Sequence, residues 1–62
     1  MTIETPEFLT EKEAAVLLGL SAHTMRNWRG AGVGPAYLKL GSAVRYARAT
    51  VTSWALDQEV AA

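Results

Sequence analysis

The chain has 62 residues and no cysteine, so a disulfide framework and a thiolate metal site are excluded. Half of its residues are apolar, enough for one compact domain, although a chain this short buries only roughly 60% of the surface its unfolded form exposes. One histidine cannot build a metal site unaided. The longest apolar run, Ala14 to Leu20, falls far short of the ~20 residues that cross a bilayer. The N-terminus, MTIETPEF, lacks the basic-then-apolar order of a secretory signal. The expectation is a single cytoplasmic domain over residues 1–62, with no membrane partner and little room for an enzyme cleft or a small-molecule substrate.

Six basic residues balance six acidic ones, but their order along the chain is uneven. Residues 1–13 hold Glu4, Glu7, Glu11 and Glu13 against Lys12. Residues 14–56 hold Arg26, Arg29, Lys39, Arg45 and Arg48 with no acid, and Asp57 and Glu59 close the chain. A purely basic middle is the electrostatic footprint of a polyanion binder. Five scattered surface cations are the plainer alternative.

In chain order, residues 1–8 read as an extended acidic lead-in, with Pro6 disfavouring helix before it. Thr10 and Glu13 have the spacing of a capping box, and Glu11 suits the positive end of a helix. A helix over 11–18 follows, stopped by Gly19. Only Leu20 separates Gly19 from Ser21, the cap of a second helix from Ala22 to about Arg29. Leu20 and Met25 occupy the positions of a hydrophobic staple. Two helices joined by so short a glycine-containing turn read as a helix-turn-helix, against the alternative of a generic helical hairpin.

Helical periodicity puts Met25 and Trp28 on one face of the second helix and His23, Arg26 and Asn27 on the other. Arg suits guanine edges or phosphates and Asn suits adenine edges, so the polar face has the side chains of a base reader. A merely solvated face is the alternative. The absence of Glu and Lys there favours the reader.

Gly30-Ala31-Gly32-Val33-Gly34-Pro35 reads as an irregular turn. It is no phosphate-binding loop, because no Gly-Lys-Ser/Thr follows. Residues 37–40 and 44–46 then form a β-hairpin around Gly41-Ser42-Ala43. A three-residue loop would pair Leu40 with Val44, Leu38 with Tyr46 and Lys39 with Arg45, which separates core from solvent. A two-residue loop would pair Lys39 with Val44 and Leu38 with Arg45 and mix the faces. The three-residue register is the expectation. It sets two cations opposite each other, a repulsion that a bound phosphate would relieve.

A last helix, within residues 48–59, carries Val51, Trp54 and Ala55 at helical spacing. Its start lacks a good cap unless Thr50 caps a shorter helix. Trp54 is expected in the core. A catalytic set could draw only on Ser21, His23 and Asp57, and Ser21 is better explained as a cap. The expectation is therefore no catalytic residue, no cofactor and no metal.

The stretch Leu9 to Leu56 resembles the excisionase-type, MerR-like winged helix-turn-helix family. Thr10-Glu11-Lys12-Glu13-Ala14-Ala15 and Leu17-Leu18-Gly19-Leu20-Ser21 are similar to its first helix and turn. Thr24-Met25-Arg26 and Trp28-Arg29 are similar to its recognition helix. Gly32, Gly34-Pro35, Tyr37, Leu40-Gly41 and Val44-Arg45-Tyr46 resemble the wing, and Trp54 stands where a tryptophan of the last helix is expected. The chain departs at Thr50, where an acidic residue is frequent, at Ala47, where a cap is common, and at Asn27, where a second Arg is frequent.

The resemblance implies a mainly α fold with a small β-hairpin: helix-turn-helix, wing and C-terminal helix. It implies that the second helix enters the major groove and the wing lies against the adjacent minor groove. On that basis His23, Arg26 and Asn27 contact base edges and nearby backbone, Ser21, Thr24 and Arg29 anchor phosphates, and Lys39, Ser42 and Arg45 form the wing contacts. The function implied is that of a phage excisionase, which binds tandem sites on double-stranded DNA cooperatively, bends it and directs an integrase toward excision in the bacterial cytoplasm. The chain after Tyr46 is expected to leave no room for an effector domain or a long dimerisation helix. Affinity is then expected from other copies in head-to-tail assembly, acidic ends against basic middle, or from the integrase. A small winged-helix transcriptional regulator and a protein-interaction adaptor are the other readings.

Overall fold

The structure, a computed structural model, describes residues 7–60. Their elements run β1 (Phe8–Leu9), α1 (Glu11–Leu18), α2 (Ala22–Ala31), β2 (Leu38–Leu40), β3 (Ala43–Ala47) and α3 (Arg48–Asp57). The lead-in expected over residues 1–8 lies mostly outside the described residues. Its end, Phe8, is already a strand.

α1 begins as the sequence requires. Thr10 Oγ1 accepts from the Glu13 backbone N–H at 3.1 Å, and Glu13 Oε1 accepts from the Thr10 N–H at 2.9 Å. Both bonds satisfy helix-end donors that have no partner inside the helix. Gly19, at φ +70°, ends α1. Its N–H donates to Val16 O, and the Leu20 N–H donates to Ala15 O. This paired closure needs a left-handed residue, which glycine adopts without strain.

α2 starts at the Ser21 cap, whose Oγ accepts from the Thr24 N–H at 3.1 Å. It ends at Ala31 rather than near Arg29. Gly32, not Gly30, takes the left-handed conformation that stops it. Of the expected staple, Met25 is buried while Leu20 remains at the surface.

The sheet is antiparallel throughout, in the order β1-β3-β2. β1 pairs Leu9 with Tyr46 and Phe8 with Ala47. The hairpin pairs Leu38 with Arg45, Lys39 with Val44 and Leu40 with Ala43. This is the two-residue loop, so the expected pairing of Lys39 with Arg45 is corrected. The premise of a half-buried hairpin fails because every residue of β2 is exposed. Turn chemistry decides instead: Gly41, at φ +65°, takes the first central position of a two-residue turn. Lys39 and Arg45 then lie on opposite faces, and the expected repulsion between them disappears.

α3 starts at Arg48 although Ala47 offers no side-chain cap. The residue before β1 supplies a backbone acceptor instead, since the Arg48 N–H donates to Glu7 O at 2.8 Å. Thr50 therefore lies inside the helix and caps nothing.

Leu9, Ala14, Ala15, Met25, Tyr46 and Val51 form the core, with Leu18, Ala22, Trp28 and Val44 packed against it. Tyr46 is its largest fully buried side chain. Trp54 is only half-buried, which corrects its expected place in the core. It meets Trp28 at 5.6 Å between ring centroids, tilted by 57°. Three helices and a small antiparallel sheet with a protruding hairpin make a winged helix-turn-helix. Among the described residues no helix is long and apolar enough to cross a membrane.

Candidate nucleic-acid interface

The core stripe of α2 turns Met25 inward and leaves its polar face to solvent. His23 and Asn27, one turn apart, lie side by side there, with His23 Nε2 and Asn27 Nδ2 at 3.2 Å. Both are exposed. A ring nitrogen beside a carboxamide presents donors and acceptors to the same space, which base edges can match.

Ser21 and Thr24 stand at the first turn of α2. Besides the cap, Ser21 Oγ and Thr24 Oγ1 lie 3.0 Å apart. They flank the positive end of the helix, where backbone N–H groups and hydroxyls favour an anion.

Arg26 and Arg29 leave α2 toward the start of α1 and converge on one carboxylate. Arg26 Nε donates to Glu11 Oε1 at 3.3 Å, and Arg29 Nε donates to Glu11 Oε2 at 3.1 Å. The Glu11 side chain is 15% exposed, that of Arg29 28% and that of Arg26 65%. Arg29 also lies over the Tyr37 ring, its Cζ 5.8 Å from the centroid. Tyr37 in turn meets Tyr46 at 6.2 Å. The hydrogen bond to Glu11 raises the Arg29 pKa above its already high value. Burial raises the Tyr46 phenol, with Glu11 adding and Arg29 opposing.

The structure thus separates two arginines that the sequence placed on one helix. Arg26 reaches solvent from a tethered Nε. Arg29 lies between a carboxylate and a ring, away from the open face.

On the wing, Lys39 and Ser42 are exposed, Ser42 at the hairpin tip. Arg45 is half-buried and turns back on its own strand, its Nη1 donating to Val44 O at 2.8 Å. It also lies close enough to Glu13 to help lower that carboxyl's pKa, after the two Thr10 hydrogen bonds. Of the sequence candidates, His23, Arg26 and Asn27 share the open face of α2, Ser21 and Thr24 sit at its start, and Lys39 and Ser42 project from the wing.

Sequence reasoning did not find Glu11 as a member of this constellation. Its partners lie 15 and 18 residues away, and only the crossing of α1 on α2 brings them together. The same contact changes the charge picture. Glu11 and Glu13 were counted toward an acidic end of the chain, but Glu11 pairs with Arg26 and Arg29 of the same molecule and Glu13 closes its own helix cap.

Residues 8–59 match the family model of a helix-turn-helix domain. The matched span takes in every described element, from β1 to the end of α3. No curated protein matches the chain.

Proposed function

We propose that this chain, which belongs to the helix-turn-helix domain family and binds DNA through that domain, is an excisionase that directs an integrase toward excision. The observation that carries the reading is the open face of α2, where exposed His23 and Asn27 stand 3.2 Å apart beside the exposed Arg26. An α-helix fits the major groove, and these side chains have the chemistry to read base edges there. Ser21 and Thr24 would hold a phosphate at the helix start, and Lys39 and Ser42 would follow the adjacent minor groove.

A single module of this kind buries only about 600–1,000 Å² on DNA, so affinity is gained from neighbouring copies and from the integrase. Asp57 and Glu59 are acidic groups at the far end of the chain, beside exposed Leu56 and Val60. A groove of about 430 Å³ lined by Leu9, Val16 and Leu17, with Lys12 and Arg48 outnumbering Glu13, has complementary character. A head-to-tail contact between these surfaces would not close, and copies would track the DNA and bend it.

A second reading, a small transcriptional regulator of the same fold, is favoured by one observation. Glu11 and Glu13 are engaged within their own molecule, which removes two of the six acidic groups that assembly was expected to use. A gel shift on sheared DNA from the source genome, with retained fragments sequenced, separates the two. Ladders mapping to tandem sites beside an attachment core support the excisionase. A single band on promoter fragments supports the regulator.

A further inference from the structure

Glu11 sits outside the reading helix, yet each of its carboxylate oxygens accepts from a different arginine of that helix. We propose that Glu11 is a specificity-determining positioning residue, which aims Arg26 at a base edge and withholds the charge of both arginines from the DNA backbone. The proposal rests on the reading of α2 as the helix that faces the groove.

A guanidinium carries its N–H donors in one planar fork. With Nε of Arg26 committed to Glu11, the outer edge made by the two Nη groups remains, and that edge matches O6 and N7 of guanine. Glu11 is itself held in place. Its second oxygen is fixed by Arg29, which the Tyr37 ring backs at 5.8 Å. The order of support runs from Tyr37 to Arg29, to Glu11, to Arg26. Of the three charged groups only Arg26 is largely exposed.

The charge acts in the same direction. Two guanidinium groups around one carboxylate leave a single net positive charge at the cluster. Backbone attraction is independent of sequence, and base contacts carry the discrimination. A carboxylate that lowers the first while aiming the second raises specificity at the expense of bulk affinity.

The test compares two duplexes of equal length: one selected by the wild-type protein from a random-sequence pool, the other a scrambled version of it. Glu11→Gln is expected to bind the scrambled duplex several-fold tighter, with a salt slope steeper by about 0.9 as one further phosphate is engaged. The ratio of selected to scrambled affinity is expected to fall about fivefold or more, as for loss of a well-aimed bidentate contact. In an Arg26→Ala background the same change is expected to leave the ratio unaltered, because the residue being aimed is gone. Should Glu11→Gln melt below the assay temperature, Glu11→Asp replaces it. It keeps the charge and shortens the reach, so the ratio falls while the salt slope stays. An unchanged ratio, or equal weakening on both duplexes, overturns the proposal. A wild-type protein that does not discriminate the duplexes overturns the reading of α2 and this inference with it.

Discussion

Arg29 and Glu11, 18 residues apart in the chain, are joined by a 3.1 Å hydrogen bond that ties the second helix to the start of the first. The helix-turn-helix is thereby closed at its open end, opposite the Gly19 turn. Stacking on Tyr37 extends the tie to the segment that enters the wing.

Arg29→Ala is therefore expected to act on the fold. The melting midpoint should fall by several degrees in the absence of DNA. Arg29→Lys should not restore it, because an ammonium has neither an Nε–H for the carboxylate nor a plane to stack. Thermal unfolding followed by circular dichroism reads both. A midpoint unchanged by Arg29→Ala would show that the tie contributes nothing to stability.

Gly34→Ala is expected to be the more damaging change. Gly34 has φ +85°, and a Cβ there would stand 2.9 Å from Cε3 and 3.2 Å from Cβ of Trp28. Left-handed strain of about 1–2 kcal/mol adds to about 1–3 kcal/mol for overpacking. The combined loss of about 2–5 kcal/mol, measured by urea unfolding, contrasts with Gly30→Ala. Gly30 is helical with open space around its Cα, so alanine there should stabilise by up to about 1 kcal/mol.

Stability is expected to fall in acid through Glu13. Its pKa is lowered, first by the Thr10 backbone hydrogen bond and then by the Thr10 hydroxyl. A group with a lowered folded pKa binds fewer protons in the folded state than in the unfolded one. Its contribution is complete above the ordinary value of 4.5 and is lost as pH falls below it toward the lowered value. Glu13→Gln can keep the capping geometry without the charge. It should flatten the acid limb of a melting-midpoint profile by lowering the neutral-pH midpoint toward the acid one.

Lys39→Glu discriminates the hairpin registers. With Lys39 opposite Val44, the new carboxylate has no cation across the strand, and no stabilisation is expected. Opposite Arg45 it would form a cross-strand ion pair and raise the melting midpoint. DNA affinity should drop about equally on selected and scrambled duplexes, since a wing lysine contacts backbone. With Arg29 and Arg45 engaged inside the molecule, the log–log salt slope should lie between about −2 and −3, shallower than the about −4.5 that all five basic residues of 14–56 would give.

What the sequence could reveal followed the range of each interaction. The α1 cap, Gly19, the Ser21 cap and the inward Met25 are set by residues within one turn of each other, and all were legible. The extent of α2 was misjudged because either Gly30 or Gly32 could take the left-handed position. β1 has two residues, too few for any alternation to show. The register of the hairpin was misread because alternation was trusted over the Gly41-Ser42 turn, in a strand exposed on both faces. The Arg26–Glu11–Arg29 cluster depends on how α1 crosses α2, and no local pattern encodes it. On the candidate interface, helical periodicity brought His23, Arg26 and Asn27 together, but it could not show that Arg29 and Arg45 are engaged elsewhere.

The central claim is that α2 reads the major groove while the wing follows the minor groove. Methylation interference tests it most directly, because dimethyl sulfate modifies guanine N7 in the major groove and adenine N3 in the minor groove. The account predicts interference at a cluster of guanine N7 positions that Arg26→Ala abolishes, with separate adenine N3 interference alongside it that Lys39→Ala weakens. Interference confined to adenine N3, or guanine N7 interference that Arg26→Ala leaves intact, would contradict it.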